Sequence, residues 1–261
     1  MKNRLILFLS LIALVVFFWI TLPSKKVKVI FCDVGQGDAI LVTYKNWQML
    51  VDTGPNNKKV LKCLENNLSF WDKKIEIVII THGDSDHIGG LIDVSKYYKI
   101  EQKFYSKNLS QFDLIKTSWM VFEVVNPKEK IENGEDNNEN SIAGILSFWD
   151  HNLKRKVKIF MAADITKEVE QRLVWQGVLR QGYGTLENGV DVLKVSHHGS
   201  ATATSEELLD VLKPKFAVIS VGVKNKFGHP TKEVLDRLLK KGIEIWRTDL
   251  SGEIFIDDFH F

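Results

Sequence analysis

Cysteine is scarce in this sequence, with two in 261 residues. That excludes a disulfide framework and a cysteine-rich zinc module. A strong charge of either sign is also missing, since 35 Lys and Arg face 33 Asp and Glu for a formal charge of +2. A balance so near neutral excludes bulk electrostatic binding of nucleic acid. No short-period internal repeat is present. Histidine is sparse too, at seven, so its placement carries more information than its number. With 44% hydrophobic and 26% charged residues the mixture is that of a globular protein. Disorder, collagen-like repeats and a polytopic membrane protein are excluded on that ground. A chain of 261 residues suits one large domain or two small ones.

One long apolar run stands apart. Leu5–Leu22 reads LILFLSLIALVVFFWITL, uncharged and broken only by Ser10 and Thr21. As a helix rising roughly 1.5 Å per residue it reaches about 27 Å, close to the hydrocarbon thickness of a bilayer. Trp19 suits the membrane interface, and Lys2 and Arg4 supply a positive start. The competing readings are a buried soluble helix and a cleaved signal peptide. A signal peptide's apolar core spans only about 7–15 residues before a small-residue site, and Thr21-Leu22-Pro23-Ser24-Lys25-Lys26 offers no good Ala-x-Ala pattern. The expectation is one uncleaved transmembrane helix within residues 1–24, giving a single-pass cell-membrane protein, and a domain over 25–261. Lys25, Lys26 and Lys28 offset Lys2 and Arg4, so the positive-inside rule alone does not orient it.

The remainder reads as α/β. Val27–Phe31 and Ala39–Tyr44 are strands joined by the turn Asp33-Val34-Gly35-Gln36-Gly37-Asp38, and Gln48–Val51 is a third, ending at Asp52-Thr53-Gly54. Ile75–Ile80 is apolar throughout and therefore a buried strand. Further strands are expected at Ile142–Phe148, Val157–Ala162, Val190–Val195, Phe216–Val221 and Ile243–Thr248. Helical periodicity marks Lys58–Asn66, Gly89–Tyr98, Thr166–Gln176, Ser205–Val211 and Thr231–Lys240. Between Lys128 and Asn140, KEKIENGEDNNEN has no apolar period and is a solvated excursion. Such an alternation implies two β-sheets flanked by helices.

Chemistry concentrates where Ile75–Ile80 ends, in Thr81-His82-Gly83-Asp84-Ser85-Asp86-His87-Ile88-Gly89-Gly90. An isolated His or Asp there would be turn or cap chemistry. His82, Asp84, Asp86 and His87 together, directly after a buried strand, make a metal-binding loop. Imidazole and carboxylate donors suit zinc or manganese, and two of each permit two neighbouring metal positions.

HGDSDHIGG resembles the HxHxDH motif of the metallo-β-lactamase fold, with Asp84 standing where the motif usually has its second His. Asp33–Ala39 (DVGQGDA), Asp52-Thr53-Gly54, Leu193–Ser200 (LKVSHHGS) and Gly228-His229-Pro230 follow in the right order. The combination is similar to the β-lactamase-like C-terminal domain of the ComEC family of DNA-uptake channel proteins, from about Val27 onward. The resemblance implies an αββα sandwich of two mixed sheets and two divalent ions, Zn2+ or Mn2+. It also implies DNA as substrate, the DNA-uptake machinery of competence as partner, and a domain on the extracytoplasmic side. His82, Asp84, Asp86, His87, Asp164 and His197 are implied as ligands, with Asp164 bridging. Asp86 and His229 are implied as catalytic, His229 as a phosphate clamp or a donor to the leaving oxygen.

Asp52 matches a carboxylate that orients a ligand from behind. Asp33, Asp38, Asn140, Ser141, Lys194 and Asn225 are expected to support the site or meet substrate. His198 is open between ligand, support and phosphate contact. The family commonly has Gly before its bridging Asp, where this chain has Ala163. The His that many members of the fold place before the bridging Asp is missing; the one His in that interval, His151, reads as surface, and so does His260. One metal position is therefore weaker or tilted toward hard oxygen ligands and manganese. Cys32 and Cys63 lie away from these clusters and read as buried apolar residues, with a bridge between them fitting an oxidising exterior. Lys194, Lys213, Lys215, Lys224 and Lys226 give a local basic excess, either a solvated face or a short phosphate track.

The expected reaction is phosphodiester hydrolysis by a metal-bound hydroxide. Two readings of other classes compete. A small-ester, thioester or lactam hydrolase would usually keep His at position 84 and a further His before Asp164. A non-catalytic DNA-binding module would account for the missing ligand.

Overall fold

A computed structural model describes residues 4, 6–12, 26–131, 137–180, 186 and 189–256. The first sheet has six strands in the order β13-β1-β2-β3-β4-β5, namely β1 (Lys28–Phe31), β2 (Ile40–Tyr44), β3 (Trp47–Val51), β4 (Lys74–Ile79), β5 (Lys99–Phe104) and β13 (Ile254–Phe255). The second has seven in the order β12-β11-β10-β9-β8-β7-β6. These are β6 (Leu114–Lys116), β7 (Met120–Asn126), β8 (Ala143–Asp150), β9 (Arg155–Met161), β10 (Val192–Lys194), β11 (Phe216–Ile219) and β12 (Glu244–Arg247). Both sheets are mixed: hairpins β1–β2–β3 and β6–β7–β8–β9 run antiparallel, while β3–β4–β5 and β9–β10–β11–β12 run parallel.

Three apolar layers hold the sandwich together. Between the sheets, Phe31, Val42, Met49 and Ile79 meet Phe122, Leu146, Ile159 and Val218. On the outer face of the first sheet, Ile30, Leu41, Val78 and Ile80 pack on Val60 and Leu64 of α1 (Lys59–Asn67) and Val94 of α3 (Leu91–Tyr97). On the outer face of the second, Phe160, Leu193 and Ala217 pack on α4 (Lys167–Trp175), α5 (Glu206–Leu212) and α6 (Lys232–Lys240). Alternate residues of a strand point to opposite faces, and both faces of each sheet are covered, so central strands read as continuous apolar runs. The arrangement is the expected αββα sandwich.

Several expectations are corrected. No element is expected from the sequence in residues 99–126, yet β5, β6 and β7 lie there. Strand β5 reads KIEQKF and is largely exposed at a sheet edge, so its polar pattern masks it. Strand β7 (MVFEVVN) is wholly buried, with Glu123 interrupting its apolar run. The loop expected to bind metal contains a turn of helix, α2 (Ser85–Ile88), with Asp84 as its N-cap. Residues 132–136 of the polar excursion, and His260, lie outside the described residues. So does most of the expected anchor: residues 4 and 6–12 are helical and exposed, and no helix among the described residues is long and apolar enough to cross a membrane. Cys32 and Cys63 are buried as expected and form a disulfide linking the end of β1 to α1, with Cα atoms 5.8 Å apart.

Candidate metal centre

Strand ends at one edge of the sandwich converge on a single cluster. His82 and α2 follow β4, Asp52 follows β3, Asp38 precedes β2, Asp164 follows β9, and His198 follows β10. Gly37 makes part of this convergence possible. It sits at φ +136°, and a Cβ there would meet the Asp86 carbonyl oxygen at 2.2 Å, so only glycine lets the DVGQGD turn lie against α2. The neighbouring Asp38 N–H donates to that same oxygen at 3.1 Å.

Three buried imidazoles aim one nitrogen each into the cluster, held by what their other nitrogen touches. His87 Nδ1 lies 2.8 Å from Asp52 Oδ2, and His198 Nδ1 lies 2.9 Å from the Ser220 carbonyl oxygen. Thr81 Oγ1 donates to Asp52 Oδ2 at 2.8 Å, and His82 Nδ1 lies 3.0 Å from it. Carbonyl and carboxylate oxygens accept only, so Nδ1 of His87 and His198 carries the proton and Nε2 is left as an electron-pair donor. The Nε2 atoms of His82, His87 and His198 and Asp164 Oδ1 are buried without a hydrogen-bond partner. Buried polar atoms are nearly always satisfied, and four orphans together mark a place for a cation.

The distances agree. His87 Nε2 lies 3.3 Å and His198 Nε2 3.6 Å from Asp164 Oδ2, while His198 Nε2 lies 3.3 Å from Asp86 Oδ2. Donor atoms of His82, His87 and Asp164 fall within 4.8 Å of one another, as do those of Asp86, His87 and His198 and those of Asp38, Asp164 and His198. The triads overlap, sharing His87, His198 and Asp164 between them. This donor set of imidazoles and carboxylates fits divalent metal.

The electrostatics express the same crowding. Burial works to depress the His87 imidazole, but Asp164 and Asp52 outweigh it and raise its pKa well above the ordinary value, a pull toward positive charge that a divalent ion at Nε2 would answer in place of a proton. Burial similarly opposes His198, which Asp164, Asp38 and Asp86 raise. His82 is lowered by burial and then by the charge of His87. Asp164 is driven well below the carboxylate range despite its burial, by His198, His87 and Lys194. Lys194 is wholly buried, and its ammonium group donates to Asp38 and to the Val195 carbonyl oxygen.

Other expected residues stand around this cluster. Asp84 is largely exposed, with Oδ2 3.5 Å from His82 Nε2, and its carboxylate is outside the triads. His197 is at the rim, its Nε2 3.9 Å from Asp164 Oδ2 and its ring 5.9 Å from that of His229. Of the HHGS pair it is thus His198 that enters the triads, with both residues held at positive φ. Asn225 clamps His229, accepting from its N–H at 3.0 Å and donating to its carbonyl oxygen. Burial and the nearby His197 lower the His229 pKa, which leaves a neutral ring with one N–H. Ser141 and Asn140 are outside the triads: the Ser141 carbonyl oxygen accepts from Asn126 Nδ2 at 2.7 Å, and the next residue, Ile142, donates its N–H to the Thr81 carbonyl oxygen at 2.9 Å. Asp33 pairs with Lys59 at 3.2 Å and accepts from Gly35 N–H, so it shapes its own turn.

A family model described as the metallo-beta-lactamase superfamily matches residues 32–107. The metallo-beta-lactamase fold protein YhfI of Bacillus subtilis aligns with a TM-score of 0.55 at 10% identity, covering 88% of this chain and 99% of that one. The chain has the metallo-β-lactamase fold. Competence protein ComA of Neisseria gonorrhoeae is 28% identical over 243 residues, which are 89% of this chain and 32% of the relative. ComE operon protein 3 of Bacillus subtilis is 25% identical, covering 88% of this chain and 33% of its own length. The chain therefore spans about a third of the length of these ComEC-like relatives.

Three residues of this metallo-β-lactamase fold escape the sequence reading. Thr81 bridges Asp52 and His82. Glu170, wholly buried on α4, accepts from Ser196 Oγ at 3.0 Å, Thr204 N–H at 2.6 Å and Ser205 N–H at 2.7 Å, bracing the HHGS turn from behind. Phe227 stacks on His229 at 5.8 Å with Lys226 Nζ 5.1 Å from its ring, and it is 55% exposed. A Glu at a helical core position is the one signal that could have pointed to Glu170.

Proposed function

We propose that this protein is a metal-dependent phosphodiesterase acting on DNA, held at the cell membrane by Leu5–Leu22. The observation that carries the hydrolase reading is the set of orphaned, inward-aimed Nε2 atoms of His82, His87 and His198 around Asp164. His82, His87, His198, Asp86 and Asp164 would hold two divalent ions, Mn2+ or Zn2+, with Asp84 and His197 completing the shell from the rim. Such ions lower the pKa of water and offset charge on phosphate oxygens.

The chain's own groups do the rest. Asp52 and Ser220 fix the tautomers of His87 and His198. Asp86, lowered from the ordinary carboxylate value against its burial by its contact with His198 and the charge of His87, stays an anion able to ligate a cation and to orient a water molecule by accepting its hydrogen bond. His229, clamped by Asn225, offers its N–H to the departing oxygen. The reading of DNA rests on two supports. Phe227 and Lys226 place a stacking ring and a cation at the rim, as a base and its phosphate require, and one of the similar proteins, ComA, is named a competence protein. The buried Cys32–Cys63 bridge fits a domain on the oxidising, extracytoplasmic side. The DNA-uptake machinery is then the natural partner.

The test incubates the full chain with plasmid and single-stranded DNA in manganese, zinc or chelator. Degradation should require metal and fall more than about 100-fold in Asp86→Ala and His87→Ala, in line with loss of a metal-site group. Undiminished cleavage by both variants would overturn the reading. Turnover of esters or lactams without DNA cleavage would support the small-substrate reading instead.

A further inference from the structure

Opposite the metal centre, three chain reversals and the entry to β1 gather at one end of the sandwich. The registers establish this. At the metal end Phe31 pairs with Ile40, Ile40 with Val51 and Gly144 with Met161. At the other end Lys28 pairs with Thr43, Tyr44 with Trp47 and Asp150 with Arg155. The seven residues of β9 put about 20 Å between the two.

Aromatic rings converge at that far end. Trp119, from the turn between β6 and β7, lies 5.1 Å from Tyr44 and 5.2 Å from Trp47 and so joins the two sheets. Beside them is a cavity of about 420 Å³, lined by Lys26, Tyr44, Lys45, Trp119 and Trp149 among others. Trp149 is 51% exposed, and Lys45 Nζ lies 5.0 Å from the Tyr44 ring. Asp150 also lines the cavity, but its carboxylate accepts from Asn152 and Leu153 N–H at 2.8 and 2.9 Å, within its own turn. Lys26 is four residues beyond Leu22, where the apolar run of the sequence ends.

Amphipathic rings beside lysine cations are the composition of a bilayer interface, and Lys near such a surface favours anionic headgroups. We propose that this end of the sandwich rests on an anionic membrane surface. Trp149, Trp119 and Tyr44 then sit at headgroup depth, Lys26 and Lys45 meet lipid phosphates, and the metal centre faces away from the bilayer. The proposal rests on the reading that Leu5–Leu22 is membrane-inserted. Single-stranded nucleic acid would also stack on such rings, but it would lie about 20 Å from the centre that cuts it.

The test uses the full chain with vesicles of phosphatidylcholine, pure or with phosphatidylglycerol, carrying nitroxide at headgroup depth. Flotation with pure phosphatidylcholine vesicles reports insertion of Leu5–Leu22 alone. On anionic vesicles, Trp149→Phe should remove a large share of tryptophan quenching, whereas Trp175→Phe, changing an exposed ring on α4, should not. Lys26→Glu with Lys45→Glu should reduce quenching severalfold while flotation persists. Intact flotation with quenching indifferent to Trp149→Phe and to the double charge reversal overturns the proposal. Failure to float on phosphatidylcholine removes the anchor reading; the face is then judged on anionic vesicles. There, loss of flotation in the double variant upholds the face and unaffected flotation overturns it. Lipid-free quenching of Trp149 by an oligothymidine, without lipid quenching, overturns it in favour of nucleic acid.

Discussion

Asp52 holds His87 from behind: its Oδ2 lies 2.8 Å from Nδ1, and the opposite ring nitrogen lies 3.3 Å from Asp164 Oδ2. The pair is wholly buried, and Thr81 saturates the carboxylate with its N–H and its hydroxyl, both at 2.8 Å. One rigid unit therefore determines which nitrogen of His87 faces the centre.

Asp52→Asn puts an amide group where one of these donors or the imidazole N–H needs an acceptor. Metal affinity should weaken by about 10–100-fold. Titration against a chelator of known affinity measures it, and affinity equal to the parent would remove Asp52 from this role.

Phe227→Ala should leave metal binding intact and raise KM for single-stranded DNA by about 5–100-fold, the worth of one stacked base. Hydrolysis of a small phosphodiester lacking a base should be unaffected. Equal losses on both substrates would show that Phe227 only supports His229.

Ala163 stands at φ +49°, immediately before Asp164. A left-handed backbone costs a residue with a Cβ about 1–2 kcal/mol, which accounts for the glycine the family commonly has there. Ala163→Gly should raise the melting temperature by about 2–6 °C, less whatever the greater freedom of glycine costs the folded state. An unchanged or lowered melting temperature by calorimetry would show that the turn carries no such strain.

Glu170 is raised above the ordinary carboxyl value because burial outweighs its bonds from Ser205, Thr204 and Ser196. A raised folded pKa means that the folded state binds the proton more tightly. Its contribution is complete below about pH 4.5 and is lost as pH rises through the folded value. Glu170→Gln should therefore flatten stability between pH 4.5 and neutrality in denaturant titrations, and parallel profiles would contradict this.

Cys32→Ala with Cys63→Ala removes a cross-link spanning 31 residues. Loop-closure entropy puts the loss at about 3–4 kcal/mol. Denaturant unfolding checks it, with metal content expected to stay the same because neither sulfur faces the centre.

Much of this was legible along the chain. Buried strands such as Ile75–Ile80 announce themselves by unbroken apolar composition, and of the four donors packed behind that strand His82, Asp86 and His87 enter the candidate triads while Asp84 does not. Strand β5 was not legible, because a polar edge strand has no apolar period to betray it. Nor was Glu170, whose three donors come from residues 26 to 35 positions away.

The sequence by itself determined the donor types, their placement at strand ends and the layered α/β body, because burial and periodicity are local properties. Only the tertiary structure decided that His198 rather than His197 enters the triads, that Lys194 reaches Asp38 across 156 positions, and that Cys32 and Cys63 meet. Each of those depends on how two sheets register against each other, and no local pattern encodes that register.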